Sequence, residues 1–328
     1  MSHVLVTGGA GYVGSHICKA LSLAGYTPVV FDNLYRGHRE FVKWGPLVEA
    51  DILDKSALSS TIRDFNIEAV IHCAALAYVS ESQERPMDYY EANVIGSMNV
   101  LEVMRENNVR VLVFSSTCAV YGIPNRIPVS EASPLKPISP YGESKWIVEN
   151  MLTDSARAYG MRCTSMRYFN AAGADPDSEI GEWHDPETHL IPIVLNAAAN
   201  SEEVISINGS DYDTPDGTAI RDYIHVSDLA NAHVQAFNFT RSTDGHESFN
   251  LGTGRGHSVR DILATVEKVT SRCIRTIESE RRPGDPDRLV ADARKANEVL
   301  GWRPCFSDIE TIIAHAWDYY SRKDGCVS

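Results

Sequence analysis

No apolar stretch of the chain reaches the ~18 residues that a membrane-spanning helix needs. Basic charge is also scarce. Thirty Lys and Arg face 44 Asp and Glu, a formal net charge of −14, which is the wrong sign for a surface that holds a nucleic-acid backbone. A small anion is not excluded, because a local pair of arginines or one helix N-terminus suffices to hold it. Cysteines 18, 73, 118, 163, 273, 305 and 326 are dispersed, with no Cys-x-x-Cys pair and no histidine at zinc-finger spacing. Such an odd, scattered set indicates reduced thiols in a reducing compartment, and no metal site is expected. Internal repeats and low-complexity tracts are absent. The start runs straight into an apolar strand without a basic leader, so the expectation is a soluble, cytoplasmic protein with neither membrane nor nucleic-acid partners.

What is present is ordinary globular composition, 43% apolar and 23% charged over 328 residues. That length suits one large domain or two unequal ones. In the first half, apolar, β-branched runs at 4–6, 29–31, 69–72, 111–115 and 163–167 alternate with helical patterns near 15–24, 57–65, 89–107 and 141–159. Strands of this kind separated by helices predict a parallel α/β sheet covered on both faces, with ligands beyond the carboxyl ends of its strands. After Asn170 the rhythm breaks into polar loops (174–187 and 210–218) and shorter elements near 191–199, 226–238, 259–268, 293–300 and 309–320. The division expected is residues 1–170 as one domain and 171–328 mostly as a second, smaller one, interleaved with the last strands of the sheet.

The first strand leads into Thr7-Gly8-Gly9-Ala10-Gly11-Tyr12-Val13-Gly14 and a helix. Glycines 8, 11 and 14 permit a tight turn and let backbone amides approach a pyrophosphate at the helix N-terminus. Asp32 ends the next strand, where a carboxylate accepts adenosine ribose hydroxyls and repels a 2′-phosphate, favouring NAD over NADP. Arg36 and Arg39 lie close enough in sequence to bear on that choice.

Tyr141 and Lys145 sit one helical turn apart on one face. An ammonium close to a phenol, with a positive nicotinamide nearby, favours the phenolate and is expected to lower the tyrosine pKa from ~10 towards neutrality. The tyrosine then exchanges protons with a substrate hydroxyl. The strand at 111–115 ends in Ser115-Ser116-Thr117-Cys118, and Thr117 can orient the reacting oxygen.

Glycine cradle, Ser/Thr strand end and Tyr-x-x-x-Lys, in that order, resemble the extended short-chain dehydrogenase/reductase family, and most closely its nucleotide-sugar 4-epimerases. Further matching segments are Asp32-Asn33-Leu34, Arg167-Tyr168-Phe169-Asn170, Arg221-Asp222-Tyr223-Ile224-His225-Val226, Asn250-Leu251-Gly252-Thr253-Gly254 and Arg282-Pro283-Gly284-Asp285. The resemblance runs nearly end to end. It implies a Rossmann-type doubly wound parallel sheet with a smaller C-terminal substrate domain. It also implies NAD as cofactor, UDP-glucose and UDP-galactose as substrates, and a homodimer paired through the helices near 89–107 and 141–159.

By position, Tyr141 becomes the acid/base, Thr117 its hydroxyl partner and Lys145 the anchor of the nicotinamide ribose. Gly8, Gly11, Tyr12, Val13, Gly14, Asp32 and Asn33 hold the pyrophosphate and adenosine, and Asp51 and Ile52 lie along the adenine. Cys73, Ala74, Ala75 and Leu76 line the cofactor, with Asn93, Ser115 and Tyr168 also on its side. Phe169, Asn170, His189, Leu190 and Asn208 receive the UDP-sugar, together with Arg221, Arg282, Asp285 and Leu289. The diphosphate needs local cations on an acidic protein, and the arginine fork fits phosphate oxygens.

The implied activity is transient oxidation at C4, turning of the 4-keto sugar within the pocket, and return of the hydride to the opposite face. Rivals remain in view. Cys118-Ala119 after Thr117 lacks the Asp-Glu that a 4,6-dehydratase uses to eliminate water. A UDP-pentose or UDP-N-acetylhexosamine 4-epimerase shares the same acid/base set. A simple sugar oxidoreductase would release reduced cofactor, and a non-catalytic NAD sensor would not require the Tyr141/Lys145 pair.

Overall fold

The computed structural model describes residues 2–281 and 284–323. The chain forms strands β1 (His3–Thr7), β2 (Thr27–Asp32), β3 (Leu47–Glu49), β4 (Ile67–His72), β5 (Val111–Thr117) and β6 (Arg162–Tyr168). Three strands follow outside the main sheet, β7 (Asn170–Ala172), β8 (Val204–Asn208) and β9 (Ile220–His225), before β10 (Gly245–Leu251) returns to it. The seven-stranded sheet has the order β10-β6-β5-β4-β1-β2-β3, and its pairings are all parallel. Successive side chains of a strand face opposite sides. Val4 and Val6 therefore enter one core with α1 (Tyr12–Leu23), while Leu5 enters the other. Helices α2 (Lys55–Asp64), α3 (Val79–Glu84), α4 (Pro86–Tyr89), α5 (Gly96–Glu106) and α6 (Pro140–Tyr159) come next along the chain. Residues of α2, α5 and α6 fill the second core.

Strand order reverses between β1 and β4, which places the ligand crevice of such a sheet at their carboxyl ends. The remaining elements are α7 (Leu190–Ala199), α8 (Val226–Ser242), β11 (Gly256–Ser258), α9 (Val259–Thr270), β12 (Arg275–Ser279), β13 (Arg288–Leu289) and α10 (Ile309–Lys323). Helix α8 joins α1 in the first core, whereas α7, α9 and α10 enclose a core of their own. The doubly wound sheet agrees with the fold expected from sequence. Two strands of it, β3 and β10, were not located there, although a return of later strands to the sheet was expected. β3 is only three residues long, and β10 begins with the polar run Gly-His-Glu-Ser. The helix expected over 89–107 contains a wider π-type stretch, Tyr90–Ile95, between α4 and α5. That stretch buries Asn93 and turns it toward the site. Among the described residues no helix is long and apolar enough to cross a membrane.

Candidate active site

Beyond the ends of β1, β4 and β5 opens a cleft of about 1470 Å³. Its nearest edge is the glycine turn. Gly8 has φ +69, and a Cβ there would stand 2.6 Å from the Ala74 amide nitrogen; at Gly14 a Cβ would meet Gly8 O at 2.1 Å. Glycine is required at both. Gly11, the N-cap of α1, offers no side-chain cap, so the first amides of the helix remain available to an anion. Asp32 closes β2, accepting from the Ala10 amide at 2.9 Å and the Leu34 amide at 2.8 Å. Burial raises its pKa, and those two amides oppose the rise. Asn33 donates to Asp51 at 2.7 Å, which ties the two predicted adenosine residues together. Arg36 pairs with Glu81 and also donates to Asp185 O, and Arg39 pairs with Glu49. Neither is a spare cation waiting for a 2′-phosphate.

Tyr141 owes its place to the start of α6. Ser139 caps the helix by accepting from the Gly142 amide at 3.1 Å, and Pro140 occupies the first turn. Tyr141 is 7% exposed, and the neighbouring Thr117 hydroxyl favours its phenolate. Thr117 Oγ1 itself accepts from the Ala119 amide at 3.1 Å, leaving its own proton free for the phenolic oxygen. One turn on, Lys145 Nζ donates to Ser115 O at 2.8 Å and lies 4.7 Å from the Phe114 ring centre.

The lowering of the tyrosine pKa expected from the sequence is not what the protein alone produces. Burial pushes the Tyr141 phenol up to about 12, and the Thr117 hydroxyl opposes this. Burial brings the Lys145 ammonium down to about 8. Burial disfavours both charged forms. A lysine whose folded-state pKa lies below its unfolded value of about 10.5 costs stability below pH 8, and that cost fades as pH rises towards 10.5. Lys145→Met should therefore be more stable than the parent at pH 7 by up to roughly 3 kcal/mol. Denaturant unfolding should show the gap closing near pH 10; a gap that is constant with pH would contradict a buried charge.

Most residues singled out from the sequence line this one cleft: Gly8, Gly11, Tyr12, Val13, Gly14, Asp32, Asn33, Asp51, Ile52 and Cys73–Leu76. Thr117, Tyr141, Tyr168, Phe169, Asn170, His189, Leu190, Asn208, Arg221, Asp285 and Leu289 line it as well. Ser115, Lys145 and Asn93 stand behind the lining. Asn93 accepts from the Leu76 amide at 2.8 Å, donates to Leu76 O at 3.0 Å and to Ser144 Oγ at 2.9 Å, and so fixes the strand end that forms the wall. Arg221 and Asp285, expected as separate ligands, form an ion pair, and Arg221 Nη1 also donates to Ile220 O at 2.7 Å. Arg282 lies outside the described residues.

Two constellations were not read from the sequence. Glu149 and Arg167 form a buried pair beneath α6. Glu182, His184, Glu187 and His189 gather beside the cleft; the run Glu-x-His-x-x-Glu-x-His was the available signal. Burial disfavours protonated His189, yet Glu182 and Glu187 outweigh this and push it up to about 10.

The model of the NAD dependent epimerase/dehydratase family matches residues 4–252. A UDP-glucose 4-epimerase of Rhizobium meliloti (strain 1021) is 46% identical, the match covering 98% of each chain. The crystal structure of UDP-glucose 4-epimerase from Brucella ovis in complex with NAD is 49% identical and superposes with a TM-score of 0.95 over 98% of both chains. UDP-glucose-4-epimerase from Stenotrophomonas maltophila, with bound NAD and formylated UDP-arabinopyranose, is 36% identical with a TM-score of 0.96 over the whole of both chains. Glycine turn, Tyr141/Thr117 pair and sheet order thus stand in a chain that is matched over most of its length, and the chain belongs to the NAD dependent epimerase/dehydratase family.

Proposed function

We propose that this protein interconverts UDP-glucose and UDP-galactose by transient oxidation at C4 of the sugar, with NAD held in the cleft. The observation that carries the reading is the Tyr141 phenol, buried at the cleft beside the Thr117 hydroxyl, with Lys145 one turn away. The dinucleotide fits what is present. The turn admits no Cβ at Gly8 or Gly14, the α1 amides have no side-chain cap, and Asp32 ends β2 on the cleft wall. NAD, when bound, supplies the acceptor for the C4 hydride and gives it back within the same turnover.

The residues do the rest. Thr117 orients the sugar 4-hydroxyl, and Tyr141 takes its proton and later returns one. Lys145 steadies the cofactor side of α6 through its bond to the end of β5. Arg221, oriented by Asp285 and Ile220 O, turns its remaining donors to the diphosphate. Asn170, His189, Leu190 and Asn208 complete the nucleotide side, so binding energy falls on the UDP handle and the sugar stays free to turn. Purified protein given UDP-glucose should form UDP-galactose without added reductant; no product under those conditions contradicts the reading. Thr117→Val should lower kcat roughly 10- to 100-fold, the value of one hydrogen bond to a charged group, with KM little changed in steady-state assays.

A UDP-pentose 4-epimerase is the second reading, favoured by the arabinopyranose nucleotide bound to the Stenotrophomonas relative. Leu289, 8% exposed at the cleft wall, neither closes the pocket as a tyrosine would nor opens it fully to N-acetyl groups. Parallel rates with UDP-glucose, UDP-xylose and UDP-N-acetylglucosamine separate the three.

We further assign the cofactor to residues 1–170 with β10, and the UDP-sugar mostly to 171–328. A cytoplasmic homodimer follows the same reading. Met87, Ile95 and Met98 are exposed apolar side chains along α4–α5, a face that a second copy would cover. Light scattering that finds only monomer contradicts the dimer.

A further inference from the structure

The segment 182–189, between β7 and α7, brings four ligand-type side chains to one point. Donor atoms of Glu182, His184, Glu187 and His189 all lie within 4.8 Å of one another. His189 Nδ1 stands 2.8 Å from Glu187 Oε1 and 3.0 Å from Glu182 Oε1. His184 Nδ1 stands 3.4 Å from Glu182 Oε1 and 3.5 Å from Glu187 Oε2. It is sealed from solvent, yet it makes no hydrogen bond. A tetrahedral zinc ion, with nitrogen and oxygen ligands at about 2.0–2.1 Å, sets its ligands roughly 3.3 Å apart. The four separations straddle that value.

A second group, Asp175, Asp177 and Glu179, shows what a filled cluster looks like. Its carboxylates close on Lys19 Nζ at 2.8, 2.9 and 2.7 Å, so an ammonium already occupies the centre. The Glu182 and Glu187 carboxylates instead face two imidazoles, whose nitrogens are the ligands that suit zinc.

We propose that Glu182, His184, Glu187 and His189 bind one divalent transition-metal ion of the zinc class. Two carboxylates and two neutral imidazoles cancel its charge and complete a four-ligand shell, which marks a structural site and not a catalytic one. The Tyr12 ring lies 6.0 Å from His184, and the Tyr78 ring lies 5.8 Å from His184 and 6.0 Å from His189. The ion fastens the 182–189 loop beside Tyr12 of the glycine turn. It thereby holds His189 and Leu190 at the wall of the cleft.

The test is titration of the full chain, stripped with EDTA, with ZnCl2 by calorimetry, and with CoCl2 by visible spectroscopy. The expected result is one equivalent of zinc, intense tetrahedral Co2+ bands that zinc displaces, and a Tm that rises with zinc concentration. His184→Ala and Glu187→Gln should each weaken binding at least about tenfold, with circular dichroism confirming that they fold. If either variant fails to fold, the Co2+ spectrum of the parent decides. Absence of zinc uptake, a weak octahedral Co2+ spectrum, or a folded His184→Ala that binds as the parent does would each overturn the proposal.

Discussion

Tyr141→Phe is expected to lower kcat by roughly 10²–10⁴-fold, the range over which a positioned acid/base acts, while thermal stability changes little. The ring is 7% exposed and packs at right angles to Tyr89, centroids 6.5 Å apart, and phenylalanine keeps that packing. Only the hydroxyl beside Thr117 is lost, a change of about 1 kcal/mol in stability. NAD should stay bound, because the glycine turn and Asp32 are untouched. Burial pushes the phenol up to about 12, so in the protein alone it is a proton holder at neutral pH. With Lys145 one turn away, the phenol would be drawn towards the phenolate once a positively charged nicotinamide is bound. Steady-state kinetics of the variant alongside its bound-cofactor absorbance check this. Activity within tenfold of the parent, or loss of NAD together with activity, would remove Tyr141 from the acid/base role.

Glu149→Ala is expected to destabilise the protein by about 3–5 kcal/mol, because it strands a charge away from water. Arg167 Nε donates to Glu149 Oε1 at 2.9 Å and Oε2 at 3.1 Å, its Nη1 donates to Tyr121 Oη at 3.0 Å, and Ser116 Oγ donates to Glu149 Oε1 at 2.6 Å. The two side chains are 6% and 4% exposed. They tie α6, which carries Tyr141 and Lys145, to β5 and β6, so the loss should also slow turnover. The surface pair Lys268–Glu310, 65% and 55% exposed, gives the contrast: Glu310→Ala should cost less than about 1 kcal/mol. Denaturant unfolding of both variants measures the difference, and equal losses would contradict the buried-pair account.

Much of this was legible in advance where local chemistry and global fold agree. Thr7–Gly14 can only be a turn that a Cβ would block, and Asp32 follows at the next strand end. Tyr141 and Lys145 share a face at 3.6 residues per turn whatever the surroundings. The sheet's middle strands are continuous apolar runs and read as buried. β10 hid because its first half is polar and its place beside β6 is set by a partner about 80 residues away in sequence. Arg221 and Asp285 each looked like a ligand alone; that they meet is tertiary information, and so is the packing of Glu149 against Arg167. The upward push of burial on Tyr141 was not read from the sequence, because spacing reports the nearby ammonium but not the loss of water around both groups.

The most direct test of the central claim is the fate of one hydrogen. UDP-glucose deuterated at C4, turned over by the purified protein with its NAD, should give UDP-galactose that keeps the deuterium at C4 while no free NADH accumulates. Loss of the label to solvent, or its release in free reduced cofactor, would mean that the hydride is not borrowed and returned within one cleft, and the account would fail.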